Sequence, residues 1–113
     1  MATVAPNPDF HMYPLNLHTT DRKQVEAFYR SVFAAGFKNY DNHIRNRWAV
    51  DGETVIVEGS CDAWLKGEFL GLTIPERRKV TIEQVAIITI RDGLIQGERV
   101  YYDLLGLKNL LAT

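Results

Sequence analysis

Asp92-Gly93-Leu94-Ile95-Gln96-Gly97-Glu98-Arg99-Val100-Tyr101-Tyr102-Asp103 is the stretch from which the fold of this chain reads. Asp-Gly between apolar runs is a strong hairpin signal, because a two-residue turn of this kind needs positive φ at both central positions. A strand leaves the turn and ends on the carboxylate of Asp103, just before the short amphipathic tail Leu104–Leu111. A carboxylate placed there can do acid–base work, or it can cap the following helix. A two-residue loop sets Arg91 opposite Leu94 and Ile90 opposite Ile95, and pairing steps outward from there. Ile88 then meets Gly97, Ala86 meets Arg99, Gln84 meets Tyr101 and Ile82 meets Asp103, all on one side of the sheet. That side is apolar near the turn and polar at the far end, with room left by Gly97 and Ala86. Gln84, Arg99 and Tyr101 can hydrogen-bond a ligand carbonyl or carboxylate there, or satisfy one another as a buried polar cluster.

Working outward, residues 42–50 and 54–64 flank Asp51-Gly52 as a second two-residue hairpin, and 79–91 with 94–103 complete the first. One side of the 42–64 hairpin carries Ile44, Asn46, Trp48, Val50, Val55, Val57, Gly59 and Cys61, and we read it as the inner one. The other side carries His43, Arg45, Arg47, Ile56, Glu58, Ser60 and Asp62, with Arg45 and Glu58 as a cross-strand ion pair. Upstream, His18-Thr19-Thr20-Asp21 starts a helix whose stripe is Val25, Phe28, Tyr29, Val32 and Phe33, ended by Gly36. Residues 1–8 read as an irregular lead-in, 9–13 as a short strand stopped by Pro14, and 65–78 as an irregular loop. The sum is an α+β domain with a helix across one face of a curved antiparallel sheet. Val85 and Ile87 are apolar on the opposite face, which predicts a homodimer through the sheet.

With 113 residues the chain makes one domain. A net charge of −1 offers no global field for nucleic acid or an anionic membrane. The single cysteine, Cys61, excludes an internal disulfide and a cysteine zinc site, and is read as a small buried hydrophobe. His11, His18 and His43 show no metal-ligand spacing, and the Gly67 to Gly71 segment lacks the lysine of a phosphate loop. The N-terminus carries no signal peptide and no apolar run reaches membrane length, so the expected compartment is the cytoplasm. Trp48, Tyr29 and Phe33 serve as core or as a pocket shelf.

The run from Phe28-Tyr29 to Phe37, the Asp51-Gly52 turn, Gly67-Glu68-Phe69-Leu70-Gly71, and Gly93-Leu94-Ile95 through Tyr102-Asp103-Leu104-Leu105-Gly106-Leu107 resemble the SnoaL-like polyketide cyclase family. The resemblance runs from Asp9 onward. It implies the nuclear transport factor 2-like (cystatin-like) superfold, a cone-shaped α+β barrel around a deep cavity. That superfold also holds limonene epoxide hydrolase, ketosteroid isomerase and scytalone dehydratase, so fold alone does not fix the chemistry. The family's acid–base carboxylate ends the last long strand, and Asp103 matches it. In the cyclases it serves an intramolecular aldol closure without metal or cofactor. Family members normally begin with helices that cap the cone, and the chain reads as lacking them over a single domain, 1–113. Of the second carboxylate used in epoxide hydrolysis, the nearest match is Asp62, with Ser60 in place of the expected arginine and on the outer side.

The resemblance thus implies a cofactor-free lyase or isomerase-type enzyme acting on an apolar, oxygenated small molecule. Asp103 would be the acid/base; Tyr101, Gln84, Arg99, Trp48, Phe33 and Tyr29 would bind substrate. The alternatives are a non-catalytic binding or dimerisation domain of the same fold, and an epoxide hydrolase-like activity.

Overall fold

The computed structural model describes residues 4–37 and 42–112. The elements in chain order are β1 (Val4–Tyr13), β2 (Leu17–Thr19), α1 (Arg22–Ala34), β3 (Asn42–Ala49), β4 (Thr54–Phe69), β5 (Leu72–Arg91), β6 (Leu94–Tyr102) and α2 (Leu104–Leu111). The strands form one curved sheet in the order β2-β1-β6-β5-β4-β3, which stays open, with β2 and β3 at its edges. All neighbours are antiparallel except β1 and β6, which run parallel. No helix among the described residues is long and apolar enough to cross a membrane.

Asp21 caps α1, its carboxylate accepting from the Lys23 amide at 2.9 Å. The expected apolar stripe of α1 lies over the inner face of the sheet. Val25 and Val32 join Phe10, Met12, Ala63, Leu65, Phe69, Ile74, Val80, Ile82, Val100 and Tyr102 in one core. Leu107 of α2 is buried in the same core, and Arg78 donates to the Leu110 and Leu111 carbonyls at the end of that helix.

Three sequence readings are corrected here. Residues 65–78 are not a loop: β4 and β5 continue through them to a tight turn at Leu70 and Gly71, both at positive φ. β1 begins at Val4 rather than at Asp9. Its pairing with β6 slips between Val4 and Asp9, where Pro6 and Pro8 have no N–H to give a ladder. The helix start read over His18 to Asp21 holds at Asp21, but Leu17–Thr19 just before it form β2, which pairs His11 with His18.

The fourth correction moves side chains between faces. The Asp92-Gly93 turn forms as expected, with φ of 55° and 74°, and Arg91 faces Leu94 and Ile90 faces Ile95. A bulge at Gln96 then inserts one extra residue into β6, so Thr89 faces Gly97, Ala86 faces Val100 and Gln84 faces Tyr102. Because side chains alternate with period two, that one residue inverts the rest of the strand. Glu98, Val100 and Tyr102 face inward, and Arg99 and Tyr101 face outward. β3 behaves similarly. Val50 donates to the Thr54 carbonyl at 2.9 Å, closing a three-residue loop that turns Trp48 onto the outer side opposite Ile56. A bulge at Arg45 restores the expected pairing of His43 with Ser60 and of Ile44 with Gly59. Gly59 is required at that close approach, since a Cβ would sit 2.2 Å from the His43 carbonyl oxygen. The expected ion pair forms, with Arg45 bridging Glu58 and Glu83 on the outer face. Cys61 is buried inward and Asp62 lies outside, as the face reading had them.

Candidate active site

Between α1 and the concave side of the sheet lies a cavity of about 530 Å³, within the range of small-molecule sites. One wall is aromatic and comes from Phe10, Phe28, Tyr29, Phe33 and Phe37. Phe10 meets Phe28 and Tyr29 with ring centroids 5.5 and 6.0 Å apart. The opposite wall is aliphatic, with Ile82, Ala86 and Ile88 from β5 and Ile95 and Val100 from β6. Phe33 and Ile44 line the cavity yet are 44% and 46% exposed, which marks the mouth.

Besides His43 and Ser60, contributed by β3 and β4, two polar spots interrupt this lining. At one, the Tyr29 hydroxyl donates to Glu98 Oε2 at 3.3 Å. Burial raises the Glu98 carboxyl above the usual carboxylate range, and the Tyr29 hydrogen bond opposes the rise only partly. Burial first, then the charge and hydrogen bond of Glu98, push the Tyr29 hydroxyl well above its ordinary value, so it stays a proton donor. Among the described residues Glu98 is the only carboxylate on the cavity wall. At the other spot Gln84 faces Tyr102. The Tyr102 hydroxyl is buried without a hydrogen-bond partner among the described residues, and burial pushes it up to about 12. Glu98 and Tyr102 are four residues apart on one strand, so the spots stand about 13 Å apart along it.

Of the residues expected to bind substrate, Gln84, Tyr29 and Phe33 line the cavity. Arg99 and Tyr101 lie outside it through the Gln96 bulge, and Trp48, 48% exposed, lies outside it through the longer β3–β4 loop. Asp103 caps α2: its Oδ1 accepts from the Gly106 amide at 2.8 Å, and its own amide donates to the Glu83 carbonyl at 3.0 Å. Its carboxylate does not line the cavity. Asp62 is held outside by the Thr81 hydroxyl at 2.6 Å and by His43 at 3.1 Å.

Glu98 escaped the sequence reading, although a signal was present. Ile95 and Val100 are an odd number of residues apart, so a strand that buries both must slip by one between them. A glycine inside a strand, here Gly97, is where such slips occur.

A family model described as SnoaL-like polyketide cyclase matches residues 2–110. No curated protein matches the chain. Among solved structures, a protein described as a SnoaL-like polyketide cyclase from Jannaschia sp. CCS1 is 23% identical, with a TM-score of 0.78 over 99% of this chain and 75% of that one. Its counterpart from Shewanella denitrificans is 13% identical, with a TM-score of 0.83 over 97% and 80%. A protein of ketosteroid isomerase-like fold from Catenulispora acidiphila, in complex with trimethylamine, is 16% identical, with a TM-score of 0.69 over 93% and 73%. At these identities the three structures speak for the fold.

Proposed function

Because this chain belongs to the SnoaL-like polyketide cyclase family, we propose that it catalyses cofactor-free acid–base chemistry on an apolar, oxygenated small molecule, with Glu98 as the acid/base. One observation carries this reading: the carboxylate on the cavity wall is desolvated, raised, and bonded to a hydroxyl that keeps its proton. A base raised toward neutrality exchanges protons with a carbon acid more effectively than an ordinary carboxylate. Glu98 takes a proton from a carbon beside a carbonyl, and the bonding pair moves onto the carbonyl oxygen. In a ring closure the resulting carbanion attacks a second carbonyl of the same molecule, and the proton passes to the new alkoxide. No oxidant or reductant is consumed. The Tyr29 hydroxyl orients the carboxylate, and the aromatic wall takes the face of a planar substrate. Gln84 and Tyr102 offer hydrogen bonds to an oxygen at the far end.

The test is solvent deuterium exchange at the activated methylene of β-tetralone, followed by proton NMR in D₂O. The chain is expected to accelerate exchange over buffer, Glu98→Gln to abolish the acceleration, and Asp103→Asn to keep it. Equal rates for the chain and Glu98→Gln would overturn the assignment. If the probe binds without exchange, the alternative of a binding module in the same cavity is preferred.

A further inference from the structure

On the convex side of the sheet, away from the cavity, three side chains converge that the proposed reaction does not use. Asp9 and His11 are two residues apart on β1 and share its outer face, and β2 sets His18 directly opposite His11. The two imidazoles stack with centroids 3.9 Å apart. His18 Nε2 lies 2.8 Å from Asp9 Oδ1, and His11 Nδ1 lies 3.6 Å from the same oxygen. The second distance is too long for a hydrogen bond. His11 Nδ1 is thus a buried polar atom with no partner among the described residues. Its cost is relieved by any ligand that takes up a nitrogen lone pair.

The three donor atoms all lie within 4.8 Å of one another. Two nitrogens on one tetrahedral zinc stand about 3.4 Å apart, from bond lengths of ~2.0–2.1 Å, so side-chain rotation alone closes the cluster. The Asp9 and His18 side chains are 56% and 48% exposed, which leaves them free to rotate, while His11 at 17% is the fixed member. Two imidazoles and one carboxylate suit zinc, nickel or copper better than calcium or magnesium, which prefer oxygen donors. We propose that Asp9, His11 and His18 bind one divalent transition-metal ion, completed by water, which clips the short edge strand β2 onto β1.

The experiment is calorimetric titration of the chelator-treated full chain with Zn²⁺ and with Ni²⁺, together with thermal melts. A saturable one-to-one site and a melting temperature that rises with metal are expected. His18→Ala and Asp9→Asn alter exposed side chains, so both should fold. Each should weaken binding by more than the ~10–100-fold that even an outer-shell partner is worth, while His43→Ala should bind as the parent does. No saturable binding up to about 1 mM, wild-type affinity in His18→Ala, or an equal loss in His43→Ala would each overturn the site.

Discussion

At the scale of single residues, Glu98 couples the cavity to stability. Its carboxyl is raised from 4.5 in the folded chain by burial. The folded state therefore holds a proton over a range in which the unfolded state has lost it. With respect to Glu98 alone, stability is undiminished below pH 4.5 and falls as pH climbs through the folded value. Glu98→Gln removes that loss, so its melting temperature should match the parent near pH 4 and exceed it at neutral pH and above. Melts of both proteins across pH 4–8 check this, and a gap that is constant with pH would contradict it. A more stable variant without exchange activity is the pattern expected when a group is kept for chemistry rather than for folding.

At the scale of elements, Asp103 belongs to α2. Replacing it by Ala leaves the Gly106 amide without its acceptor and should cost about 0.5–2 kcal/mol in urea unfolding. Asn caps nearly as well and should cost far less. The cavity should be indifferent to both changes, so binding of an apolar ligand is expected to stay within experimental error of the parent. How legible each element was follows from how local its cause is. The α1 stripe, the helix start ending on Asp21 and the Asp92-Gly93 turn are written in neighbouring residues, and they read correctly. The β5–β6 register read correctly only as far as Ile90 and Ile95. Beyond that, the Gln96 bulge is favoured because it buries Val100 and Tyr102 against a core assembled from distant strands, which no local window contains. The same holds for β2, whose three residues are ordered by pairing with β1, and for the turn at Leu70, where a leucine accepts positive φ because long strands converge on it from both sides. The fold class survived these errors because it depends on the number and type of elements. The site residues were legible only in part, because they depend on which face each side chain takes: Gln84, Tyr29 and Phe33 line the cavity, whereas Arg99, Tyr101 and Trp48 take the other face.

At the scale of the whole molecule, the convex face of the sheet carries a small apolar patch among charged side chains. α1 lies over the concave side, while Val85 and Ile87 remain half-buried on the convex side, Val85 between Glu58 and Tyr101 and Ile87 between Ile56 and Arg99, with Tyr101 41% exposed. Homodimerisation through this convex face is our proposal at this scale. Static light scattering at micromolar concentration should return twice the chain mass, and Val85→Arg should return the mass of one chain. A parent protein that scatters as a single chain would remove the proposal. The Asp9–His11–His18 cluster lies toward the β2 edge, with β6 between β1 and β5. Metal binding and self-association can therefore be measured separately, one by titration and the other by mass.

The parallel pairing of β1 with β6 has a kinetic side. Phe10 lies beside Glu98 across about 90 residues of intervening chain, a separation of the kind that slows folding. During synthesis the first strand emerges long before its central neighbour, and until β6 arrives it can hold only β2. Nascent chains would carry the unpaired edge of β1 for most of translation, which is the interval in which strand edges recruit chaperones or one another. The wall that bears Glu98 is therefore completed late, and an assembling chain closes its cavity only when its first strand finds its last.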